Sequence, residues 1–454
     1  MPNCYNKLRT TAANEKVKPV TTDFQKSHVP NAANLNNAWY HNSCQKLNLR
    51  EKAPSVNAAY DALIIGAGFT GVSAALKLAK SGASVAIIEQ HALGNGASGR
   101  NGGLVCSGFR HDQKWFEDKI GALAAQDVWQ VAEAAKAHLR ANLHEHKIEA
   151  DFETGLVFAA HSKSTLDWAQ KDAEHLTKQY GYSALTNLDN TECANALGTD
   201  VYWGGVRDDG AGRIHPLKYL FGLLQAVDNA GAHIFEKCQA QKVVETSTGI
   251  EITTNMGVIK AKKLLLCGDG QLEGINSQVE AKVMPIGSFM IATKPIEDEF
   301  MRGAVGAMDT KFVVNYFQRT RDNRLLFGGG EKYTPHWPKD IASFVRKNLT
   351  KIYPQFAEIE ITHAWGGILG ITPTRLPFVR QISNNILVSA GYSGQGVLLA
   401  PFFGDILAKV ILSEKSPFAM IDKLPVPDFP GGKFMRFPLL TAALSYYSIL
   451  DKLP

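Results

Sequence analysis

Three glycines early in the chain have the spacing of a dinucleotide-binding turn. Gly66, Gly68 and Gly71 form G-x-G-x-x-G in "LIIGAGFTG", directly after an apolar run and before a helical pattern. Gly66 permits a tight turn, Gly68 lets the backbone approach a pyrophosphate, and Gly71 allows close helix packing. The phosphates then lie at the N–H groups that begin the helix. The turn therefore predicts binding of NAD or FAD.

A carboxylate stands where such a cofactor presents its ribose. Glu89 ends the apolar run "ASVAIIE", about 20 residues after the turn, and can accept hydrogen bonds from a ribose diol. The same charge repels a 2′-phosphate, which disfavours NADP.

A second glycine-rich loop follows Glu89 and bears on the choice between FAD and NAD. The stretch "LGNGASGRNGGL", residues 93–104, places Ser98, Arg100 and Asn101 among small residues. Such a loop can pass under a flat ring system and hydrogen-bond to phosphate or flavin edges, whereas an NAD dehydrogenase normally enters its next helix here. The loop favours FAD, with a ligand-free surface loop as the alternative.

A third glycine-rich turn lies far along the chain, in "VSAGYSGQGV". Gly391, Gly394 and Gly396 separate an apolar run from a helical pattern. N–H groups at that helix start would face the negative charge that a reduced flavin carries on its pyrimidine side. The alternative is a simple helix start without a ligand.

Patterns around these turns predict an α/β protein. Residues 60–89 form a βαβ unit, in which Gly82 ends the helix. The runs "QKVVETSTGIEITTNMGVIKA" and "KKLLLCGDG" predict a hairpin and a buried strand, and residues 283–330 predict strands of a mixed or antiparallel sheet. "NNILVSAG" and "VLLAPFFGDILAKVIL" add a last strand and helix. The β-rich middle is thus interpreted as a second domain inserted into a nucleotide-binding domain.

Composition and charge narrow the class of protein and its expected location. The 454 residues are 45% apolar and 20% charged, as in soluble globular proteins of two or three domains. Residues 1–57 carry the whole formal net charge of +5, so we expect a solvated, partly disordered extension. The rest is balanced, which argues against nucleic-acid binding. There is no transmembrane run, no signal or transit pattern, no disulfide framework and no metal spacing, and we expect a cytoplasmic protein.

Several segments together give a specific resemblance. "GAGFTG", "GASGRNGG", "DGAGRIHPLKYL", "NYFQRTRDNRLLFGGG", "ITPTRLPFV", "GYSGQGVLLAPFFGD" and "FPGGKFMRFPLL" occur in this order over residues 58–454. They resemble the FAD-dependent amine and amino-acid oxidoreductases of the D-amino-acid oxidase and sarcosine oxidase superfamily, most closely its gamma-glutamylputrescine oxidase branch. The resemblance implies a Rossmann-like FAD-binding domain of the glutathione-reductase type, interleaved with a β-rich mixed-sheet substrate domain.

The predicted domain organisation has seven parts. Residues 1–57 form the basic extension, 58–110, 205–282 and 379–430 the FAD-binding domain, 111–204 and 283–378 the substrate domain, and 431–454 a C-terminal helical tail.

The motifs and the resemblance together predict the cofactor-binding residues. Val243 is the position that matches an adenine contact in related folds. The full set is Gly66, Gly68, Phe69, Thr70, Gly71, Glu89, Gln90, Gly96, Ala97, Ser98, Arg100, Asn101, Gly102, Gly103, Leu104, Val243, Cys267, Gly268, Gly391, Ser393, Gly394, Gln395, Gly396 and Val397. Relatives with covalent flavin use a Cys or His that the "TP" segment and the "GASGRNGG" loop lack, so we expect noncovalent FAD.

Amine oxidation on FAD needs a neutral amine with its α C–H over flavin N5. Hydride transfer gives an imine that water hydrolyses to an aldehyde, so positioning carries the catalysis and neither a triad nor a metal is expected. The substrate-side candidates are Trp365 and Tyr316 as aromatic walls, Arg375 as a carboxylate partner or structural ion pair, His363 as proton acceptor or packed residue, and Tyr392. His215, just before Pro216, favours a structural role at a helix start.

The expected activity is oxidation of a primary or secondary amine, such as gamma-glutamylputrescine, with oxygen reduced to hydrogen peroxide by a monomer or homodimer. Two alternatives remain: a dehydrogenase that passes electrons to a quinone or carrier protein, and a flavoprotein that acts on a protein partner bound by the extension.

Overall fold

The computed structural model describes residues 38–50, 58–272, 274–297, 300–332 and 337–431. The predicted C-terminal tail lies outside these residues beyond Gly431, as does the extension before Ala38.

Helices and strands alternate along the described chain. The helices are α1 (Trp39–Asn42), α2 (Phe69–Lys80), α3 (Gln113–Ile120), α4 (Ala122–Glu145), α5 (Lys163–Tyr180), α6 (Asn190–Leu197), α7 (Pro216–Asn229), α8 (Ser277–Lys282), α9 (Ile341–Ile352), α10 (Gly396–Ile411) and α11 (Phe418–Ile421). The strands are β1 (Ala59–Ile65), β2 (Val85–Ile88), β3 (Leu104–Val105), β4 (Glu153–Ala159), β5 (Leu185–Leu188), β6 (Gly205–Arg213), β7 (His233–Phe235), β8 (Ala240–Thr246), β9 (Gly249–Thr254), β10 (Gly257–Leu266), β11 (Met284–Thr293), β12 (Gly306–Asp309), β13 (Tyr316–Arg319), β14 (Leu325–Lys332), β15 (Ile361–Ile371), β16 (Phe378–Gln381) and β17 (Ile386–Ala390).

The first sheet has the strand order β16-β17-β10-β1-β2-β7, and β8 and β9 extend from β10. Its centre is parallel: β1 pairs with β10 and β2, and β10 pairs with β17. β2 is buried at every position, as expected for a parallel strand covered on both faces. The predicted βαβ unit is therefore correct, and the predicted hairpin is formed by β8 and β9.

Two helices begin after the carboxyl ends of two of these central strands. α2 begins after β1 and α10 after β17, and they pack closely on one another. Gly404 of α10 makes this approach possible, because a side chain there would overlap the carbonyl oxygen of Thr70. The two glycine turns, far apart in sequence, are thus brought to one edge of the sheet.

The second sheet has the order β15-β11-β14-β13-β12-β4-β6-β3, with β5 beside β6. β11, β14, β13 and β12 pair antiparallel, as predicted for residues 283–330, and β15 pairs antiparallel with β11. β6 pairs with β4 in this sheet, although the prediction placed residues 205–282 in the FAD-binding domain. β3 also joins it. The boundary predicted at residue 204 therefore does not separate the sheets, because "GVRDDGAGR" lacks the apolar alternation that marks a strand.

Part of the basic extension is folded into the body. Trp39 is 8% exposed and Tyr40 1% exposed, so the expectation of a solvated extension is wrong for residues 38–40. Aromatic side chains can bury large apolar areas, which outweighs the polar character of the surrounding sequence. Among the helices in the described ranges, none combines the length and apolar character needed to cross a membrane.

Candidate cofactor and active site

The first glycine turn links β1 to α2. Gly66 has φ +105°, and a side chain on it would come within 2.8 Å of the carbonyl oxygen of Cys267. A side chain on Gly71 would overlap the carbonyl of Gly66. These close approaches require glycine, so the turn brings the backbone of β1, the end of β10 and the first turn of α2 together.

Glu89 lies beside that turn, at the end of β2. Its carboxylate accepts hydrogen bonds from the backbone N–H of Ala67, at 3.1 Å, and of His91, at 2.9 Å. Burial raises the pKa of this carboxyl, and the two N–H donors oppose that shift. The predicted ribose carboxylate is thus fixed next to the predicted pyrophosphate turn.

The loop of residues 96–104 connects this turn to the second sheet. The Ser98 hydroxyl accepts a hydrogen bond from the N–H of Phe69, at 3.0 Å, at the start of α2. On the other side, Arg100 Nε donates to the carbonyl of Gly366 on β15, at 2.6 Å. Asn101 holds the loop itself, since its amide donates to the carbonyls of Ala97 and Ser98 and its oxygen accepts from Gly103.

The second glycine turn, between β17 and α10, is held by a buried acid. Asp269 accepts the N–H groups of Gly391 and Gly370, both at 2.7 Å, and burial raises its pKa. Gly391, Ser393 and Gly394 all have positive φ, at +75°, +52° and +96°. The turn therefore needs the glycines at positions 391 and 394 for its backbone conformation.

The remaining predicted cofactor residues line these turns or lie near them. Val243 lies on β8, where it is half-buried and paired with Ile252. The others are Phe69 and Thr70, buried in α2; Gln90, hydrogen-bonded to Gln271; Gly96, Ala97, Gly102 and Leu104 in the loop; Cys267 and Gly268 after β10; and Gln395, Gly396 and Val397 at the start of α10.

The substrate-side candidates Trp365 and Tyr316 lie on the second sheet. Trp365 is fully buried, and its indole N–H donates to the Arg100 carbonyl at 3.0 Å. This hydrogen bond fixes the loop of residues 96–104 to β15. Tyr316 lies against Gly102 and Gly328, where a side chain would overlap its ring, and its hydroxyl is 3.0 Å from Ser288 Oγ. Burial raises the pKa of Tyr316 to about 12, so it stays protonated.

Arg375 belongs to a charged cluster that the sequence did not reveal. Burial lowers the pKa of Arg110 and Arg375, the positive charge of Arg375 lowers that of Arg110 further, and Glu331 opposes both shifts. All three side chains keep partial exposure. They come from the segment after β3, the end of β14 and the segment after β15, and no motif links three such distant positions.

His363 and Tyr392 are engaged in contacts within the protein. The amide of Asn42 in α1 donates to Nε2 of His363 at 2.8 Å, and burial lowers the pKa of that histidine. Tyr392 is buried and hydrogen-bonded to Ser389 and Thr70. His215 begins α7 and accepts the N–H of Lys218 at 3.1 Å, which confirms its predicted structural role at a helix start.

The backbone is open at one glycine of each of two glycine-rich segments. A Cβ at Gly394 would meet no atom within 4 Å, and one at Gly96 only Gln271, at 3.9 Å. Gly394 lies in the turn before α10, and Gly96 begins the loop that is held against the start of α2. These residues fit a flavin dinucleotide, whose phosphates would lie at the start of α2 and whose ring would face the start of α10.

Comparisons with known proteins agree with this geometry. A family model described as FAD dependent oxidoreductase matches residues 61–410. A probable oxidoreductase OrdL of Rhizobium meliloti (strain 1021) is 37% identical over 417 residues, 91% of this chain and 97% of that protein. The gamma-glutamylputrescine oxidoreductase of Escherichia coli (strain K12) is 29% identical over 398 residues, 87% of this chain and 93% of that protein.

Solved structures show the same fold. The crystal structure of glycine oxidase from Geobacillus kaustophilus superposes with a TM-score of 0.66 at 19% identity, covering 79% of this chain and 96% of that one. L-proline dehydrogenase from P. horikoshii gives 0.68 at 20% identity, with 80% and 96% covered. The predicted fold class, a Rossmann-like FAD-binding domain interleaved with a β-rich domain, is thereby confirmed. The chain belongs to the FAD-dependent oxidoreductase family, and its cofactor is FAD.

Proposed function

We propose that this oxidoreductase oxidises the C–N bond of an amine that also carries a carboxylate, such as gamma-glutamylputrescine or a similar amino-acid-bearing amine. The names of its relatives support this class, because a gamma-glutamylputrescine oxidoreductase is 29% identical and a glycine oxidase shares the fold.

The cluster of Arg110, Arg375 and Glu331 is the observation that carries the proposal. Two guanidinium groups interact electrostatically with one carboxylate in a poorly solvated place, so one positive charge exceeds the negative charge of the cluster. A substrate carboxylate would supply the missing negative charge through charge-assisted hydrogen bonds, for which the planar guanidinium is well shaped.

The chain otherwise contributes position and the exclusion of water. FAD, when bound, supplies the two-electron acceptor that takes a hydride from the substrate. In this proposal Tyr316, which lies on β13 between Gly102 and Gly328 and is protonated, contacts the substrate. The imine product is hydrolysed by water to an aldehyde, and oxygen is the proposed electron acceptor, reduced to hydrogen peroxide.

Anaerobic bleaching of the holoenzyme tests the proposal. Gamma-glutamylputrescine is expected to bleach the flavin absorbance, whereas putrescine, which lacks a carboxylate, is not. N-methyl amino acids and D-amino acids complete the panel. Bleaching by putrescine alone, or by none of the compounds, contradicts the proposal. Oxygen uptake during turnover then tests the acceptor: rapid dye reduction without oxygen uptake identifies a dehydrogenase.

A further inference from the structure

The short helix α1 is anchored to three separate parts of the fold. Ser43 Oγ lies 3.0 Å from Nε2 of His215 at the start of α7. Asn42 donates to His363 on β15. A Cβ added at Gly94, just before the loop of residues 96–104, would lie 3.6 Å from Cε1 of His41. The helix therefore spans the gap between the cofactor loop and the second sheet.

Tyr40 points from this helix into the interior. Its ring is 4.9 Å from His215 and 5.6 Å from Trp365, with edge-to-face geometry in both pairs. Its hydroxyl is buried and has no hydrogen-bond partner within the described residues. Buried tyrosine hydroxyls normally have a partner, so this group is available to a bound molecule.

The neighbours of Tyr40 identify where that molecule lies. Trp365 donates a hydrogen bond to the Arg100 carbonyl, and Arg100 donates one to the Gly366 carbonyl. Trp365 and Arg100 therefore lie at the junction between the loop of residues 96–104 and β15. Tyr316, a titratable neighbour that also raises the pKa of the Tyr40 hydroxyl, lies against Gly102 of the same loop. Burial keeps the pKa of Tyr40 far above its ordinary value, so the hydroxyl is a donor.

A second buried polar atom on α1 also lacks a hydrogen-bond partner among the described residues. Nε2 of His41 is buried and lacks a partner in the part of the chain that the structure describes, and burial lowers the pKa of this histidine. The positive charge of Arg100, in the cofactor loop, lowers this pKa further. Two consecutive residues thus present unsatisfied polar atoms to the region around this loop, a pattern that hydrophobic packing alone does not explain.

We propose that α1 is part of the FAD-binding site and that the Tyr40 hydroxyl donates a hydrogen bond to an acceptor atom of the bound flavin. A flavin ring carries nitrogen and oxygen acceptors along its edge, which suits a fixed neutral donor. The proposal rests on the family's cofactor and on the position of α1, and it does not depend on which amine is oxidised.

The variant Tyr40→Phe tests this by removing one oxygen atom. Loss of a hydrogen bond to the flavin is expected to weaken FAD binding by roughly threefold to tenfold and to shift the visible absorbance bands of the holoenzyme. The thermal stability of the apoprotein should be unchanged or slightly higher, because the variant removes a buried hydroxyl that has no described partner.

Tyr60→Phe is the matched control. Tyr60 is also a buried tyrosine, but its hydroxyl bonds to Nδ1 of His233, at 2.8 Å, away from both glycine turns. This variant should lower stability without altering the flavin spectrum. Unchanged FAD affinity and spectrum in Tyr40→Phe would overturn the proposal. A raised KM for the amine with an unaltered flavin spectrum would also overturn it, since the hydroxyl would then face the substrate.

Discussion

The hydroxyl of Tyr392 lies 2.6 Å from Oγ1 of Thr70, although the two residues are 322 positions apart in the chain. Thr70 is in the first turn of α2, and Tyr392 follows Gly391 in the turn before α10. The same hydroxyl lies 2.6 Å from Ser389 Oγ. One buried phenol therefore fixes the two glycine turns against each other, and this gives Tyr392 a positioning role between the two ends of the cofactor site.

Tyr392→Phe is expected to lower the free energy of unfolding of the apoprotein by about 1–2 kcal/mol, because two buried hydroxyls lose a partner. A double-mutant cycle with Thr70→Val, measured by urea denaturation, separates the contact from the general effect of each change. We expect a coupling energy of about 1 kcal/mol between the two sites. Strictly additive effects would show that the contact contributes nothing to holding the turns together.

Arg375→Met is expected to lower kcat/KM for a carboxylate-bearing amine by about 10-fold to 100-fold, since a charge-assisted hydrogen bond contributes roughly 1.5–3 kcal/mol. The effect should lie mainly in KM, and an amine without a carboxylate should be affected much less. Steady-state kinetics on the two substrates measures both.

Arg321→Met is the control for loss of a positive charge. Arg321 is 56% exposed and pairs with Asp151 and Glu153 at the surface. Its removal should leave the kinetics unchanged. Equal losses on both substrates in the Arg375 variant would mean that this residue holds the structure or the cofactor rather than a carboxylate.

All flavin should leave the protein when the holoenzyme is precipitated with acid. The loop "GASGRNGG" has neither Cys nor His, and the segment "AWGGILGITPTRLPF" has no Cys. Cys267 adjoins the first turn, but burial raises the pKa of its thiol and keeps it from acting as a nucleophile. Absorbance of the supernatant and pellet measures the partition, and yellow colour retained in the denatured pellet would reveal a covalent bond.

The sequence was sufficient for the parts of the site that local spacing determines. Gly66 and Gly71 make contacts that only glycine permits, and Glu89 follows them at the distance set by one βαβ unit. Such glycine and carboxylate positions can be predicted from the sequence because the strand, the turn and the helix follow one another along the chain. Gly391 and Gly394 could be identified for the same reason, since their positive φ angles belong to a single turn.

Contacts between segments that are distant in the sequence could not be predicted from local spacing. Arg375 interacts electrostatically with Arg110 and Glu331, although the three residues follow or end three different strands, and no local pattern indicates that. Tyr40 was missed because the charge of the extension suggested a solvated segment. The one available signal was "AWYHN", where two aromatic residues interrupt an otherwise polar sequence.

His215 gives the protein a predictable sensitivity to acid. Its Nδ1 accepts the N–H of Lys218, so Nε2 carries the proton and donates to Ser43, which fixes a neutral imidazole. Burial is the main cause that lowers its pKa to about 3. The unfolded chain takes up this proton near pH 6.5, whereas the folded protein does so only near pH 3. The free energy of unfolding therefore keeps its full value above pH 6.5 and decreases as the pH falls towards 3. At pH 5 the expected loss is about 2 kcal/mol.

The variant His215→Asn isolates this contribution, because asparagine also begins helices well but does not titrate. Urea denaturation of both proteins at pH 7 and pH 5 gives two differences in unfolding free energy. The loss between these pH values should be about 2 kcal/mol smaller in the variant, whatever the offset between the proteins at pH 7. Parallel losses would mean that the folded protein binds this proton as readily as the unfolded chain, and the junction of α1 with α7 would then tolerate a charged imidazole.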